Sequence, residues 1–171
     1  MQAIERTIQR FHVGYRFLKT ALDCPDDLSA PDLDDSAWEQ VTVPHDWAIG
    51  HDFDEENDVS YQKVTADGIT NAIRHTGRTG ALPTVGCGWY RLPFFVPADA
   101  EGKQLELVFD GIMWESEIYI NGTKLHENRF GYASFAVNIT SSVQFGKQNL
   151  LAVKATAPPD CSRWYSGAGI F

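Results

Sequence analysis

Acidic residues are the most numerous side chains in this sequence that could do chemistry, because paired carboxylates can act as general acid and general base. The chain carries 23 aspartates and glutamates against 14 lysines and arginines. Glu115 and Glu117 are two positions apart, so they share one side of any strand that contains them. A solvent-facing strand side explains this spacing equally well, and spacing alone does not raise a pKa. The pair is therefore an unspecific candidate for catalysis.

The acidic run Asp52–Asp58 has carboxylates at alternate positions, as calcium-binding loops do. The position that needs a turn glycine holds Asn57, and the position of the closing glutamate holds Lys63. This departure favours a solvated acidic loop. The sequence also has no glycine-rich phosphate loop and no G-x-S-x-G elbow. We therefore predict no metal and no cofactor.

The tryptophans are the residues best suited to bind a sugar, since the C–H faces of a pyranose ring stack on aromatic rings. They are Trp38, Trp47, Trp89, Trp114 and Trp164. A buried aromatic side chain also contributes roughly 1.5–3 kcal/mol to a β core. For any one of them, core packing is the favoured interpretation. Composition alone therefore reaches no further than a soluble β domain.

Charge and composition exclude several classes of partner. The net charge of −9 opposes binding to nucleic acid or to an anionic membrane. No apolar run approaches the roughly 20 residues of a membrane helix. Charged residues interrupt Met1–Thr20, unlike a signal peptide. Cys24, Cys87 and Cys161 form neither a C-x-x-C pair nor an even set, so a cytoplasmic location is predicted.

Leu105–Leu125 is the stretch around which the predicted strands are arranged. Leu105, Leu107 and Phe109 occupy alternate positions, and so do Ser116, Ile118 and Ile120, which is the period of strands with one buried face. Between the second run and its return strand lies Asn121-Gly122, the residue pair that a type I′ hairpin turn favours. The middle of the chain is therefore predicted to be antiparallel sheet.

Other segments complete a β core. Further strands are predicted at Arg10–Leu18, Trp38–Val43, Trp89–Val96, Tyr132–Ile139 and Asn149–Ala155. Asp23–Ala37 is predicted to be a loop with one helical turn, and the long connection from Pro44 to Cys87 to lack regular structure. About eight strands and no long helix predict one all-β domain over residues 1–171, a jelly-roll or β-sandwich.

Three motifs, in this order, resemble the N-terminal domain of family 2 glycoside hydrolases, the β-galactosidase and β-glucuronidase group. They are Trp38 with Val43-Pro44-His45-Asp46-Trp47, then Gly88-Trp89-Tyr90-Arg91, then Ser162-Arg163-Trp164-Tyr165-Ser166-Gly167-Ala168-Gly169-Ile170-Phe171. The first and third are most similar to β-galactosidases. The resemblance extends from about Arg10 to the last residue.

This resemblance implies a galactose-binding-like jelly roll that precedes an immunoglobulin-like domain and a (β/α)₈ barrel in a longer polypeptide. The catalytic glutamates of such enzymes belong to the barrel, so we assign no catalytic residue and expect the chain alone to be inactive. Its implied partners are a β-galactoside-like carbohydrate and the remaining domains of the same polypeptide.

The resemblance also suggests which segments form the rim of a substrate site. These are the loop before Gly88 and the segment that follows Ser162-Arg163-Trp164-Tyr165. Arg163 and Trp164 are the two residues we predict at the rim. Some relatives place an asparagine where this chain has Val85. Two alternatives stay open: a free-standing lectin-like module, and a structural domain that packs against neighbours or forms a homo-oligomer.

Overall fold

The protein is built from β-strands, as the sequence predicts. The computed structural model describes residues 6–23, 25–52, 54, 59–62, 67–68, 71–74, 84–158 and 167–171. Its strands are, in chain order, β1 (Tyr15–Thr20), β2 (Glu39–Val41), β3 (His45–Asp46), β4 (Val59–Gln62), β5 (Asn71–Arg74), β6 (Gly86–Val96), β7 (Glu106–Phe109), β8 (Ile112–Met113), β9 (Glu115–Ile120), β10 (Thr123–Asn128), β11 (Phe135–Asn138), β12 (Lys147–Ala157) and β13 (Gly169–Ile170). Two short 3₁₀ helices, Asp26–Ser29 and Ala98–Ala100, also lie in these ranges. No helix within the same ranges is long and apolar enough to cross a membrane.

A six-stranded antiparallel sheet forms one layer, with the strand order β10-β9-β12-β6-β1-β2. Its centre is the pair of long strands β6 and β12, which run side by side from Gly86↔Ala157 to Val96↔Lys147. β9 pairs with the other side of β12, and β1 with the other side of β6. One end of the sandwich therefore lies where β6 starts and β12 ends, and the other where β6 ends and β12 starts.

The second layer consists of β11 paired with β7 and of the three-stranded sheet β3-β13-β8. Side chains of the two layers meet in one buried cluster, which joins Phe17 and Val153 of the large sheet to Leu107 and Ile112 of the second layer. Along β7 Leu107 is buried and Val108 exposed, which confirms the predicted alternation. The all-β, jelly-roll prediction is confirmed.

The hairpin predicted at Asn121-Gly122 is present between β9 and β10. Asn121 has φ 51° and Gly122 has φ 80°, as a type I′ turn requires. The Asn121 side chain also ties the turn to neighbouring segments. Its amide donates to the Ser142 carbonyl at 3.1 Å, and its carbonyl accepts from the Leu150 amide at 2.9 Å. The turn is thus fixed both by local backbone preference and by contacts with β12.

A strap formed by residues 26–38 covers the outer face of the six-stranded sheet. Trp89 and Tyr119 of the sheet are buried beneath it together with Trp38 at the end of the strap, and Leu28 and Leu33 of the strap pack on this cluster. Tyr119 lies on the strand side that alternation predicts to be polar. The strap excludes water from that side, so both faces of the central strands are buried.

Arg91 of β6 holds the strap in place although its side chain is only 2% exposed. Its Nε donates to the Asp35 carboxylate at 2.7 Å. One terminal nitrogen donates to the carbonyls of Leu28 and Ala30, both at 2.8 Å, and the other to that of Leu33 at 3.4 Å. Hydrogen bonding of this kind offsets the cost of burying a charge.

Two expectations about the connections are wrong in part. The segment between Pro44 and Cys87 was expected to lack regular structure, but it contains β3 and the antiparallel hairpin β4-β5. β3 pairs with β13 at the far end of the chain, and no local pattern in the sequence could show that partner. The strand expected from Tyr132 begins at Phe135, so Tyr132 lies in the preceding turn.

Candidate functional site

The described residues of the two predicted rim segments, which are Thr84 and Val85 before β6 and Gly167–Phe171 at the end of the chain, lie near the end of the sandwich where β6 starts and β12 ends. Val85 directly precedes β6, and Gly86 there pairs with Ala157. β13 pairs with β8, and the next residue, Trp114, donates its backbone amide to the Thr156 carbonyl at 3.0 Å. Arg163 and Trp164, which precede β13, lie outside the described residues, so their roles stay predictions.

The Pro-His-Asp-Trp motif positions the segment that follows those two residues. Asp46 Oδ1 accepts the backbone amides of Ala48 at 3.0 Å and Ala168 at 3.1 Å. The Trp47 amide donates to the Ala168 carbonyl at 2.9 Å, and β3 pairs with β13. The first and third motifs of the sequence are therefore joined to each other in the fold.

Tyr90 adds a side-chain link to the same junction. Its hydroxyl lies 2.9 Å from His45 Nδ1. Burial raises the pKa of the Tyr90 phenol, so the hydroxyl keeps its proton and can donate it. Burial also lowers the pKa of His45 against the weaker opposing charges of Glu39 and Asp46. A neutral imidazole whose Nδ1 accepts from the Tyr90 hydroxyl fits both shifts.

Gly169 is required at this junction because β13 comes very close to β3. Its φ is +137°, and a Cβ at this position would overlap the His45 carbonyl oxygen and lie 2.6 Å from the Tyr90 hydroxyl. No L-residue with a side chain fits there without moving one of the two strands. The glycine of the third motif is thus explained by close approach of the backbone.

The tryptophans separate into buried and surface residues. Trp38, Trp47 and Trp89 are buried, as the core interpretation predicts, while Trp114 is half-buried. Trp164 lies outside the described residues. Trp114 is therefore the described tryptophan that is available at the surface, and it lies at the end of the sandwich where β6 starts.

Trp114, Phe130 and Tyr132 form a surface cluster that we call the aromatic corner. The Trp114 and Tyr132 rings are 5.5 Å apart at 84°, and the Phe130 and Tyr132 rings are 6.1 Å apart at 61°. Phe130 and Tyr132 are each 55% exposed. Sequence reasoning did not single out Phe130; its signal is the Phe-Gly-Tyr spacing in a turn between two strands.

Charged side chains border the aromatic corner. Arg129 pairs with Glu127 at 2.7 Å. This bond and then the nearby charge of Glu115 raise the pKa of the Arg129 guanidinium. The surface therefore combines exposed aromatic rings with groups that donate and accept hydrogen bonds.

The carboxylate pair considered from the sequence does not have the properties of a catalytic acid and base. Glu117 accepts from the Tyr119 hydroxyl at 2.6 Å and from Lys124 at 2.8 Å. Burial raises the pKa of the Glu117 carboxyl, but the bonds from Lys124 and Tyr119 outweigh it and lower that pKa overall. A general acid needs the opposite shift. The residues described by the structure also contain no cluster of three or more histidine, cysteine, aspartate and glutamate side chains that could hold a metal.

A cavity of about 580 Å³ lies on the outer face of the large sheet, beside the strap. Arg91, Asn121 and Asn149 are among its lining residues. Their polar atoms are used in internal hydrogen bonds: Arg91 donates to the strap, Asn121 donates to the Ser142 carbonyl, and Asn149 accepts from the Gln144 amide. This cavity therefore offers few groups for a ligand, and the aromatic corner is the stronger candidate site.

Comparison with known proteins places these features in a family. The profile of the glycosyl hydrolases family 2 sugar binding domain matches residues 13–170. The β-galactosidase BoGH2A of Bacteroides ovatus is 38% identical over 165 residues, which cover 95% of this chain and 16% of that enzyme. A putative β-glucuronidase of Formosa agariphila is 32% identical over 167 residues, covering 98% of this chain and 14% of that protein.

Solved structures agree with these sequence relatives. A family 2 glycosyl hydrolase from Bacteroides cellulosilyticus superposes with a TM-score of 0.73 at 30% identity, covering 95% of this chain and 19% of that one. A β-glycosidase from Bacteroides vulgatus gives a TM-score of 0.72 at 30% identity, with 94% and 19% covered. The chain thus spans less than a fifth of the length of each of these relatives.

Proposed function

Because this chain belongs to the sugar-binding domain family of the family 2 glycosyl hydrolases, we propose that it forms one wall of the active site of a longer β-glycosidase. The observation that carries this proposal is the meeting of three segments at one end of the sandwich. These are the loop before β6, the junction after β8 and the strand β13. In this proposal Arg163 and Trp164 lie on the rim that these segments build.

The parent enzyme in this proposal hydrolyses β-galactosides. The relative from B. ovatus, named a β-galactosidase, is 38% identical, whereas two relatives from F. agariphila named as β-glucuronidases are 32% and 31% identical. The Pro-His-Asp-Trp motif supports the same choice by resemblance. Other domains of the polypeptide then supply the two carboxylates, which a retaining mechanism needs about 5–5.5 Å apart.

In this proposal the chain by itself is catalytically inactive. Among the described carboxyl groups with a resolved pKa shift, namely those of Asp34, Glu117 and Glu127, every shift is downward. A carboxyl group with a lowered pKa is ionised at neutral pH and cannot protonate a leaving group. These three carboxyl groups are therefore unsuited to act as a general acid, and the contribution that we propose for this domain is the shape and chemistry of the wall.

A domain exchange tests the proposal. The corresponding N-terminal domain of the B. ovatus β-galactosidase is replaced by residues 13–170 of this chain, and hydrolysis of a chromogenic β-galactoside is measured. A variant of that enzyme without the domain is the control. We expect the exchanged enzyme to turn over substrate and the truncated enzyme to be inactive. A folded exchanged enzyme that is no more active than the truncated one would refute the proposal.

A further inference from the structure

We propose that the aromatic corner, Trp114, Phe130 and Tyr132, is a sugar subsite that stacks on a pyranose ring of a β-galactoside. This inference rests on the proposed function and assigns one part of the wall to the ligand. Aromatic side chains of this size normally contribute to a core or an interface. Here two of the three rings are 55% exposed although the same chain buries three of its tryptophans.

The aromatic rings are oriented so that a sugar ring can stack on one of them and contact another with its edge. The 84° angle between Trp114 and Tyr132 presents one ring face beside another ring's edge. A pyranose ring can lay its C–H face on the first while its rim contacts the second. Phe130, inclined by 61° to Tyr132, extends the same surface. The corner therefore offers ring faces and ring edges that a pyranose ring can contact.

The corner is held in place before any ligand arrives. A Cβ at Gly131 would overlap the Met113 sulfur, so the backbone between Phe130 and Tyr132 lies directly on Met113. Asn128 Nδ2 donates to the Phe130 carbonyl at 2.9 Å. The Trp114 amide is bonded to Thr156. The backbone of the corner therefore has little conformational freedom to lose on binding, which favours affinity for a small ligand.

The charged border favours a sugar over an apolar protein surface. Arg129 is highly exposed and paired with Glu127, and Glu115 lies nearby. Covering these groups with an apolar partner would remove them from water without replacing their hydrogen bonds, which is costly. A sugar carries hydroxyl groups around its ring and can form hydrogen bonds with charged groups of this kind. The chemistry of the whole surface is thus that of a carbohydrate ligand.

Titration of the 171-residue chain with methyl β-D-galactopyranoside, followed by two-dimensional NMR, tests this inference. The indole N–H signal of Trp114 is assigned with the Trp114→Phe variant. We expect this signal to shift with sugar concentration and to give a Kd of about 1–20 mM, as a few stacking and hydrogen-bonding contacts provide. Phe130→Ala and Tyr132→Ala should each weaken binding about fivefold, the loss of one aromatic contact.

Phe95→Ala is the matched control, since Phe95 is 56% exposed on β6 and lies near the opposite end of that strand. It should bind the sugar as the unchanged chain does. No shift of the Trp114 signal at about 100 mM sugar would overturn the inference, because such binding is too weak for a subsite. Tyr132→Ala and Phe130→Ala chains that bind the sugar as tightly as the unchanged chain would also overturn it, as would self-association that Tyr132→Ala abolishes.

The domain exchange separates this inference from the proposed function. An active exchanged enzyme whose kcat/KM is unchanged by Tyr132→Ala, together with no sugar-dependent NMR shift, refutes the subsite and leaves the proposed function intact. An inactive exchanged enzyme, with a normal titration of the chain, refutes the proposed wall and supports sugar binding at the corner.

Discussion

Replacing Arg91 by methionine should destabilise the fold more than any exposed charge substitution. Methionine keeps much of the side-chain volume but removes the ion pair to Asp35 and the three bonds to strap carbonyls. Removing one partner of a buried charged network typically costs about 3–5 kcal/mol. Asp35 is 25% exposed, so water can solvate its carboxylate in the variant. We therefore expect a loss of about 3 kcal/mol in the free energy of unfolding, at the lower end of that range.

The measurement is urea unfolding of the chain, followed by circular dichroism and tryptophan fluorescence. In a thermal melt of a domain of this size, the same loss of about 3 kcal/mol lowers Tm by roughly 6–12 °C. Asp35→Asn is the matched control, and it should cost only about 1 kcal/mol, since the asparagine oxygen still accepts a hydrogen bond. The Arg91→Met/Asp35→Asn double variant should be within about 1 kcal/mol of Arg91→Met alone, because most of the lost bonds are to backbone carbonyls.

Two results would refute this reasoning. One is an Arg91→Met chain that loses less than about 1 kcal/mol, which is the size of one ordinary hydrogen bond. The other is a double variant that regains most of the lost stability, since that would assign the effect to an unpaired carboxylate of Asp35. In either case the strap would be held by apolar packing of Leu28 and Leu33 and not by the buried guanidinium.

Three further substitutions test the junction and the hairpin. Gly169→Ala should lower the free energy of unfolding by more than about 2 kcal/mol, because φ is +137° and a Cβ would meet the His45 carbonyl. Gly50→Ala is the control, since a Cβ there would meet no atom within 4 Å, and urea unfolding measures both variants. Asn121→Ala should lower the free energy of unfolding by about 2–3 kcal/mol, because the variant loses two side-chain hydrogen bonds and places alanine at a positive φ. Asn138→Ala, at an exposed position, should lower it by under about 1 kcal/mol. Because burial lowers the pKa of His45 below 6.5 in the folded chain, its contribution to stability is present above pH 6.5 and is lost as the pH falls below that value. Urea midpoints between pH 7.5 and 5 should fall less for His45→Gln than for the unchanged chain, and equal slopes would contradict this assignment.

Much of the fold could be predicted because a strand with one buried face produces a recognisable alternation in the local sequence. The alternation through Leu105–Phe109 and Ser116–Ile120 reflects burial of every second side chain, and the Asn121-Gly122 turn depends only on backbone preference. Family membership was also accessible from the sequence, because its three motifs occur in order along the chain. Each of these signals lies within about ten residues.

The sequence alone determined that this is an antiparallel β domain of the family 2 glycosyl hydrolases, with one tight hairpin and a buried set of tryptophans. Only the tertiary structure decided that β3 pairs with β13, that Arg91 fastens the strap, and that Trp114 meets Tyr132 at the surface. The physical reason is distance along the chain. Periodicity reports whether a side chain faces water or protein, but not which distant segment lies against it.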